Sequence, residues 1–88
     1  MYKRQAQAAS DFFERAFKII VSLGALLDGE IEVRLHHGRA VAHSGIGAIG
    51  KAVEGFRKTI GLSRQHGMAD YEVSSITETV LLTPIFAQ

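Results

Sequence analysis

A chain of 88 residues with ten basic and nine acidic side chains carries a formal net charge of +1, which excludes a general attraction to polyanions. It has no cysteine, so disulfide frameworks and thiolate chemistry are excluded, and a cytoplasmic location is expected. One domain of this size buries only about 60% of its unfolded surface and is marginal alone, and oligomerisation is a common remedy.

Met1–Gln5 fits no element and reads as a non-native or disordered leader, of the junction type found at the ends of metagenomic reading frames, with a natural protein that extends upstream. Residues 6–88 read as a single small domain. Ala6–Leu27 reads as a long helix, with Ser10 and Asp11 as alternative caps for a shorter one starting at Phe12. Phe13, Phe17, Ile20 and Leu27 form one stripe; Phe12, Ala16, Ile19, Leu23 and Leu26 form an adjacent one. Together they make the helix apolar over more than half its circumference, where an ordinary surface helix hides a stripe about 100° wide. A homodimer interface at Phe12, Ile19, Leu23 and Leu26 is therefore expected. The longest uncharged apolar run, Ile19–Leu27, is too short to span a bilayer and lacks the flanks of a secretory signal.

Leu27-Asp28-Gly29 ends that helix. Glu30–His36 alternates, with Ile31, Val33 and Leu35 on one side, and predicts a half-buried strand. His37-Gly38 is placed as a tight turn and Arg39–His43 as a returning strand. That register sets Leu35 opposite Ala40 and Val33 opposite Ala42. Ser44–Gly61 predicts the central amphipathic helix: Ile46, Ile49, Val53, Phe56 and Ile60 share one face. Ala48, Ala52 and Gly55 form a small-residue track for close approach. Ser44 caps the start and Gly61 the end, and Glu54 stands one turn before Lys58. Leu62–Ala69 reads as a loop. Tyr71–Leu82, rich in β-branched residues, predicts a strand bent near Ser74–Ser75, and Pro84 ends its pairing. The expected fold is α+β: a two-layer sandwich of order α-β-β-α-β(-β), with helices on one face of a small antiparallel sheet.

Gly45-Ile46-Gly47-Ala48-Ile49-Gly50 matches G-x-G-x-x-G at an expected strand-to-helix junction, the position of a dinucleotide fingerprint. Asp70 stands near the place of the ribose-binding acid. A hairpin before the motif, in place of parallel strands, favours the reading that the glycines serve tight packing, so no cofactor is expected. A third reading is a small anion on the free N–H groups of the helix start, which makes Arg39, His43, Ser44, Gly45 and Gly47 the candidate ligand residues. His36, His37 and His43 cluster without zinc-type spacing and read as surface or interface side chains, not metal ligands. No G-x-S-x-G elbow supports Ser74 or Ser75, so no catalytic residue is assigned. An acid–base pair of His43 and Glu32 is the one enzymatic alternative. Arg34, Arg39, Lys51, Arg57, Lys58 and Arg64 are interleaved with glutamates and lack stacking aromatics, which disfavours nucleic acid.

Val33-Arg34-Leu35, Gly45, the Ala48/Ala52 track and Asp70-Tyr71-Glu72-Val73 with Ile76-Thr77 occur in an order that resembles half of the leucine-binding regulatory domain of isopropylmalate synthases. The resemblance covers about half the chain and implies a regulatory, ligand-binding role. The family's G-D/N-G-P-V-D-A loop is replaced here by Ser44-Gly45-Ile46-Gly47-Ala48, so no leucine-binding residue is carried over. Gly38-Arg39-Ala40-Val41 after a strand is similar to Alba proteins, which makes a nucleic-acid-binding domain of that shape the runner-up. The leading expectation is a non-catalytic binding or regulatory domain that forms a homo-oligomer, takes a small ligand or partner protein, and has no membrane association.

Overall fold

The computed structural model describes residues 2–22 and 29–87. Among them are four α-helices and no strand: α1 (Tyr2–Ser22), α2 (Gly29–Gly45), α3 (Ile49–His66) and α4 (Ala69–Ala87). The expected α+β sandwich is thus corrected to an all-helical domain. The two expected strands Glu30–His36 and Arg39–His43, with the His37-Gly38 turn between them, are one helix, α2. Ser44 and Gly45 close α2 and do not open the next helix. The expected loop Leu62–Ala69 instead continues α3 to His66, with Leu62 and Ser63 buried. Gly67, in the left-handed conformation, ends α3 by donating its N–H to the Ser63 carbonyl. The last expected strand is α4, which runs through Pro84 to Ala87.

The physical reason for both misplaced strands is the same. A helix whose inward positions are largely small or polar loses the single stripe of large apolar residues that announces helical periodicity. α2 buries Val33, Ala40, Ala42 and His43, while Ile31 and Val41 face solvent, so Ile31, Val33 and Leu35 mimic strand alternation. In α4 the inward positions are Tyr71, Ser75, Glu78, Thr79 and Leu82. They follow a helical spacing, but three of the five are polar and another is a tyrosine. The change of parity near Ser74–Ser75 is that period, not a bend. Helix is also satisfied locally here: the hydroxyls of Thr77, Thr79 and Thr83 donate to the carbonyls of Val73, Ser75 and Thr79, one turn back.

The helices form a sequential array. Among the described residues α1 packs on α2 alone, α2 on α1 and α3, and α3 on α2 and α4, with α2 grazing α4. Turns of three residues (46–48) and two residues (67–68) join the last three helices, which makes each adjacent pair a helical hairpin. The result is a slab with extents of 38 × 29 × 18 Å. Its buried apolar side chains are Val33, Ala40, Ala42, Ala52, Val53, Phe56, Leu62 and Leu82. Ala40, Ala52, Val53, Phe56 and Leu82 form one cluster, with Ile49 packed against it. The expected apolar face of the central helix is therefore present in Ile49, Val53 and Phe56, on a helix that begins five residues later than expected. Gly55 does what the small-residue track requires: a Cβ there would stand 2.8 Å from the Ala40 Cβ, so α2 and α3 approach at glycine distance. Fully buried Thr59 and Ser63 donate to the carbonyls of Gly55 and Thr59. The buried Ser75 hydroxyl has no such partner among the described residues.

Candidate functional site

α2 and α3 enclose a cleft of about 320 Å³ lined by His36, Arg39, His43, Lys51, Glu54, Gly55 and Lys58. The spacing of His36, Arg39 and His43 places them on one side of α2, and that of Lys51, Glu54, Gly55 and Lys58 on one side of α3. α1 braces the α2 side. The Arg39 Nε–H donates to Glu14 Oε1 at 2.5 Å, and the guanidinium lies 5.3 Å from the centroid of the Phe17 ring. The same Phe17 ring meets His36 edge-on at 4.9 Å. His43 Nε2 stands 3.7 Å from Glu14 Oε1. Glu54 and Lys58, expected to pair along α3, form no ion pair; the ion pairs among the described residues are Arg34–Glu30, Arg39–Glu14, His43–Glu14 and Arg64–Glu72.

Of the five residues expected to bind an anion, Arg39 and His43 line this cleft together, whereas Ser44 and Gly45 lie in the last turn of α2. Gly47 occupies the turn between α2 and α3 with φ 79°, a conformation that favours glycine. The G-x-G-x-x-G match thus spans a helix end, a turn and the first turn of α3. No strand precedes it, so it lacks the setting of a dinucleotide fingerprint. His36, Lys51, Glu54 and Lys58 were not among the expected site residues. The proposed acid–base pair also differs, because His43 meets Glu14 of α1 and not Glu32.

His36 and His37, which would point to opposite faces of a strand, sit about 100° apart on the helix and enter different surroundings. The His37 ring meets Phe56 at 5.8 Å and Tyr71 at 5.1 Å, with Nε2 3.5 Å from the Ser74 hydroxyl, the outer limit of a hydrogen bond. Among the described residues no group of three or more His, Cys, Asp or Glu side chains is placed to hold a metal ion.

All three α2 histidines are held below the usual histidine value, with burial as the first cause. For His36 the next causes are Lys58 lowering, Glu32 raising and Arg39 lowering. For His43 they are Arg39 lowering, Glu14 raising and Lys51 lowering. For His37, Glu78 opposes burial. The unfolded chain therefore takes up protons before the folded one as pH falls through about 6.5. Stability from these groups is complete above that pH, declines below it, and levels off once the folded histidines also protonate. Thermal melts at pH 8, 6.5 and 5 should show a falling midpoint between the last two; an unchanged or rising midpoint contradicts this.

The outer helices carry a second kind of site. The inner side of α1 presents Phe13 and Phe17, while its outer side exposes Phe12 (65%) and Ile19 (55%). These two line a crevice with Ala8, Asp11, Arg15 and Ala16. Leu23 and Leu26, the other two expected interface residues, lie outside the described residues. On α4, Val73, Ile76, Val80 and Leu81 are exposed, a face that the strand reading missed and that a helical reading of the same residues places on one side. Among the described residues no helix is long and apolar enough to cross a membrane.

No family model, curated protein or solved structure matches the chain. The strands implied by the resemblance to the isopropylmalate synthase regulatory domain, and by the Alba-like alternative, are helix here, and neither supplies a residue role.

Proposed function

We propose that the protein is a non-catalytic helical binding domain that works as a twofold dimer joined along the outer face of α1. The observation that carries this reading is that, among the described residues, α1 packs on α2 alone while Phe12 and Ile19 remain exposed on its other side. Phe12 supplies a projecting ring, and the alanines at 8 and 16 flank it in the crevice, so one surface holds both knob and recess. An isologous pair needs that self-complementarity. An antiparallel pair centred between Arg15 and Ala16 sets Phe12 of one copy over Ile19 of the other. The crevice holds one acid and one base, Asp11 and Arg15, so its net charge is zero, and in this register the two Arg15 side chains meet at the axis with an Asp11 one turn away on each copy. Each large side chain covered contributes roughly 1.5–3 kcal/mol before association costs.

The exposed face of α4 supports a second reading, in which the copies join there. Ile19→Glu and Val80→Glu separate the two, since both replace exposed side chains and leave the protomer core intact. Dimerisation makes the melting midpoint rise with protein concentration. The expected result is a rise in the unmodified chain that Ile19→Glu abolishes and Val80→Glu retains. The reverse pattern moves the contact to α4, and a midpoint independent of concentration in the unmodified chain rejects self-association.

A further inference from the structure

The α2–α3 cleft is independent of the α1 face, and its charges are unbalanced. Arg39, Lys51 and Lys58 converge on it with one lining carboxylate, Glu54. Arg39 is already fixed in place, because Glu14 accepts its Nε–H and Phe17 lies against the guanidinium. Of the guanidinium, Glu14 accepts only the Nε–H among the described residues, which leaves the two amino groups of the fork for another acceptor. Lys51 and Lys58 stand two turns apart, about 10 Å along α3. Neither has a carboxylate within ion-pair distance among the described residues. Burial is the first cause that holds both cleft histidines low; beyond it, Lys58 and Arg39 disfavour a proton on His36, and Arg39 and Lys51 disfavour one on His43. Glu32 on the first and Glu14 on the second work the other way. Glu54 faces the same space.

We propose that this cleft binds a compact polyvalent oxyanion of the phosphate class, a diphosphate group being the type case, through Arg39, Lys51 and Lys58, with the rings of His36 and His43 as further donors. An orientated guanidinium and two ammonium groups match the several oxygens of such an ion. A volume of about 320 Å³ lies at the small end of ligand sites, roughly 300–1,000 Å³, and suits a diphosphate better than a dinucleotide. Glu54 repels any anion, but against it stand three cationic side chains, and the net attraction of the site grows with the charge of the anion. Binding replaces the repulsion felt by His36 and His43 with attraction, so both take up protons on binding and affinity rises as the pH falls through the histidine range.

The test is a proton NMR titration of the four histidine rings with and without inorganic pyrophosphate at constant ionic strength. The expected result is a rise of about half a unit or more in the midpoints of His36 and His43, equivalent to roughly threefold tighter binding to each protonated form. His66, in the last turn of α3 and outside the cleft, should not move. Lys51→Gln with Lys58→Gln, at two exposed positions, should abolish the rise in a chain shown to be folded by its unchanged helical circular dichroism. Unmoved midpoints, equal movement of all four rings, or a rise that survives the double substitution would overturn the proposal. A parallel titration with a nucleoside diphosphate identifies the source within the class: tighter binding of the free ion assigns the site to inorganic diphosphate, and tighter binding of the ester assigns it to a diphosphate carried on a larger molecule.

Discussion

Phe56→Ala should cost about 3–5 kcal/mol, a large share of the about 5–15 kcal/mol by which whole domains are stable. Phe56 has no exposed surface and sits in the one cluster formed by Ala40, Ala52, Val53 and Leu82. Its neighbours there include two alanines, which have no longer side chain to swing into the space. The ring also supports the His37 imidazole edge-on, so its loss loosens the contact of α2 with both α3 and α4. Urea denaturation followed by circular dichroism measures the change. A loss below about 1 kcal/mol, the scale of an ordinary surface substitution or a lost cap, would contradict this account of the core.

Gly55→Leu should cost about 3 kcal/mol, the upper end of what overpacking does in a well-packed interior. The first added atom would stand 2.8 Å from the Ala40 Cβ and 3.3 Å from its Cα. The second of these is backbone, which no rotamer change can move. α2 and α3 must therefore separate, and the contacts of Ala40 and Ala52 go with them. Gly55→Ala meets the same obstacle with less bulk and gains about 1 kcal/mol of helix propensity, so its loss should be clearly smaller. Denaturation midpoints in the order glycine, alanine, leucine are expected; a leucine variant as stable as the original would show that the two helices do not meet at this point.

What could be read from the sequence follows from how each helix is covered. α1 and α3 turn large apolar side chains inward at helical spacing, Phe13 with Phe17, half-buried, and Val53 with Phe56, buried, and these stripes announce them. Gly55 was legible for the same reason, as part of a small-residue track. α2 meets its neighbours largely through small or polar residues, Ala40, Ala42 and His43, and α4 has a largely polar inner seam at Ser75, Glu78 and Thr79, so neither shows a stripe. The β-branched residues of α4 then favoured a strand, a preference that expresses packing on a sheet more than an intrinsic backbone choice. The candidate cleft was half legible. The sequence points to Arg39 and His43, but with Ser44, Gly45 and Gly47 as companions, because a strand before residue 44 makes those glycines a helix start. Once 29–45 is a helix, the spacing of His36, Arg39 and His43 assembles the α2 side of the cleft directly. Lys51 and Lys58 read as surface charge in the sequence, since a linear sequence does not show that Gly55 brings α2 against their face.

The exposed side of α1 bears most directly on what the protein is for, and static light scattering of the unmodified chain at micromolar to hundred-micromolar concentration tests it without any substitution. The twofold dimer predicts a mass near twice the 9.6 kDa of one chain, falling towards the single-chain value on dilution. A folded particle of 9.6 kDa throughout that range would contradict it.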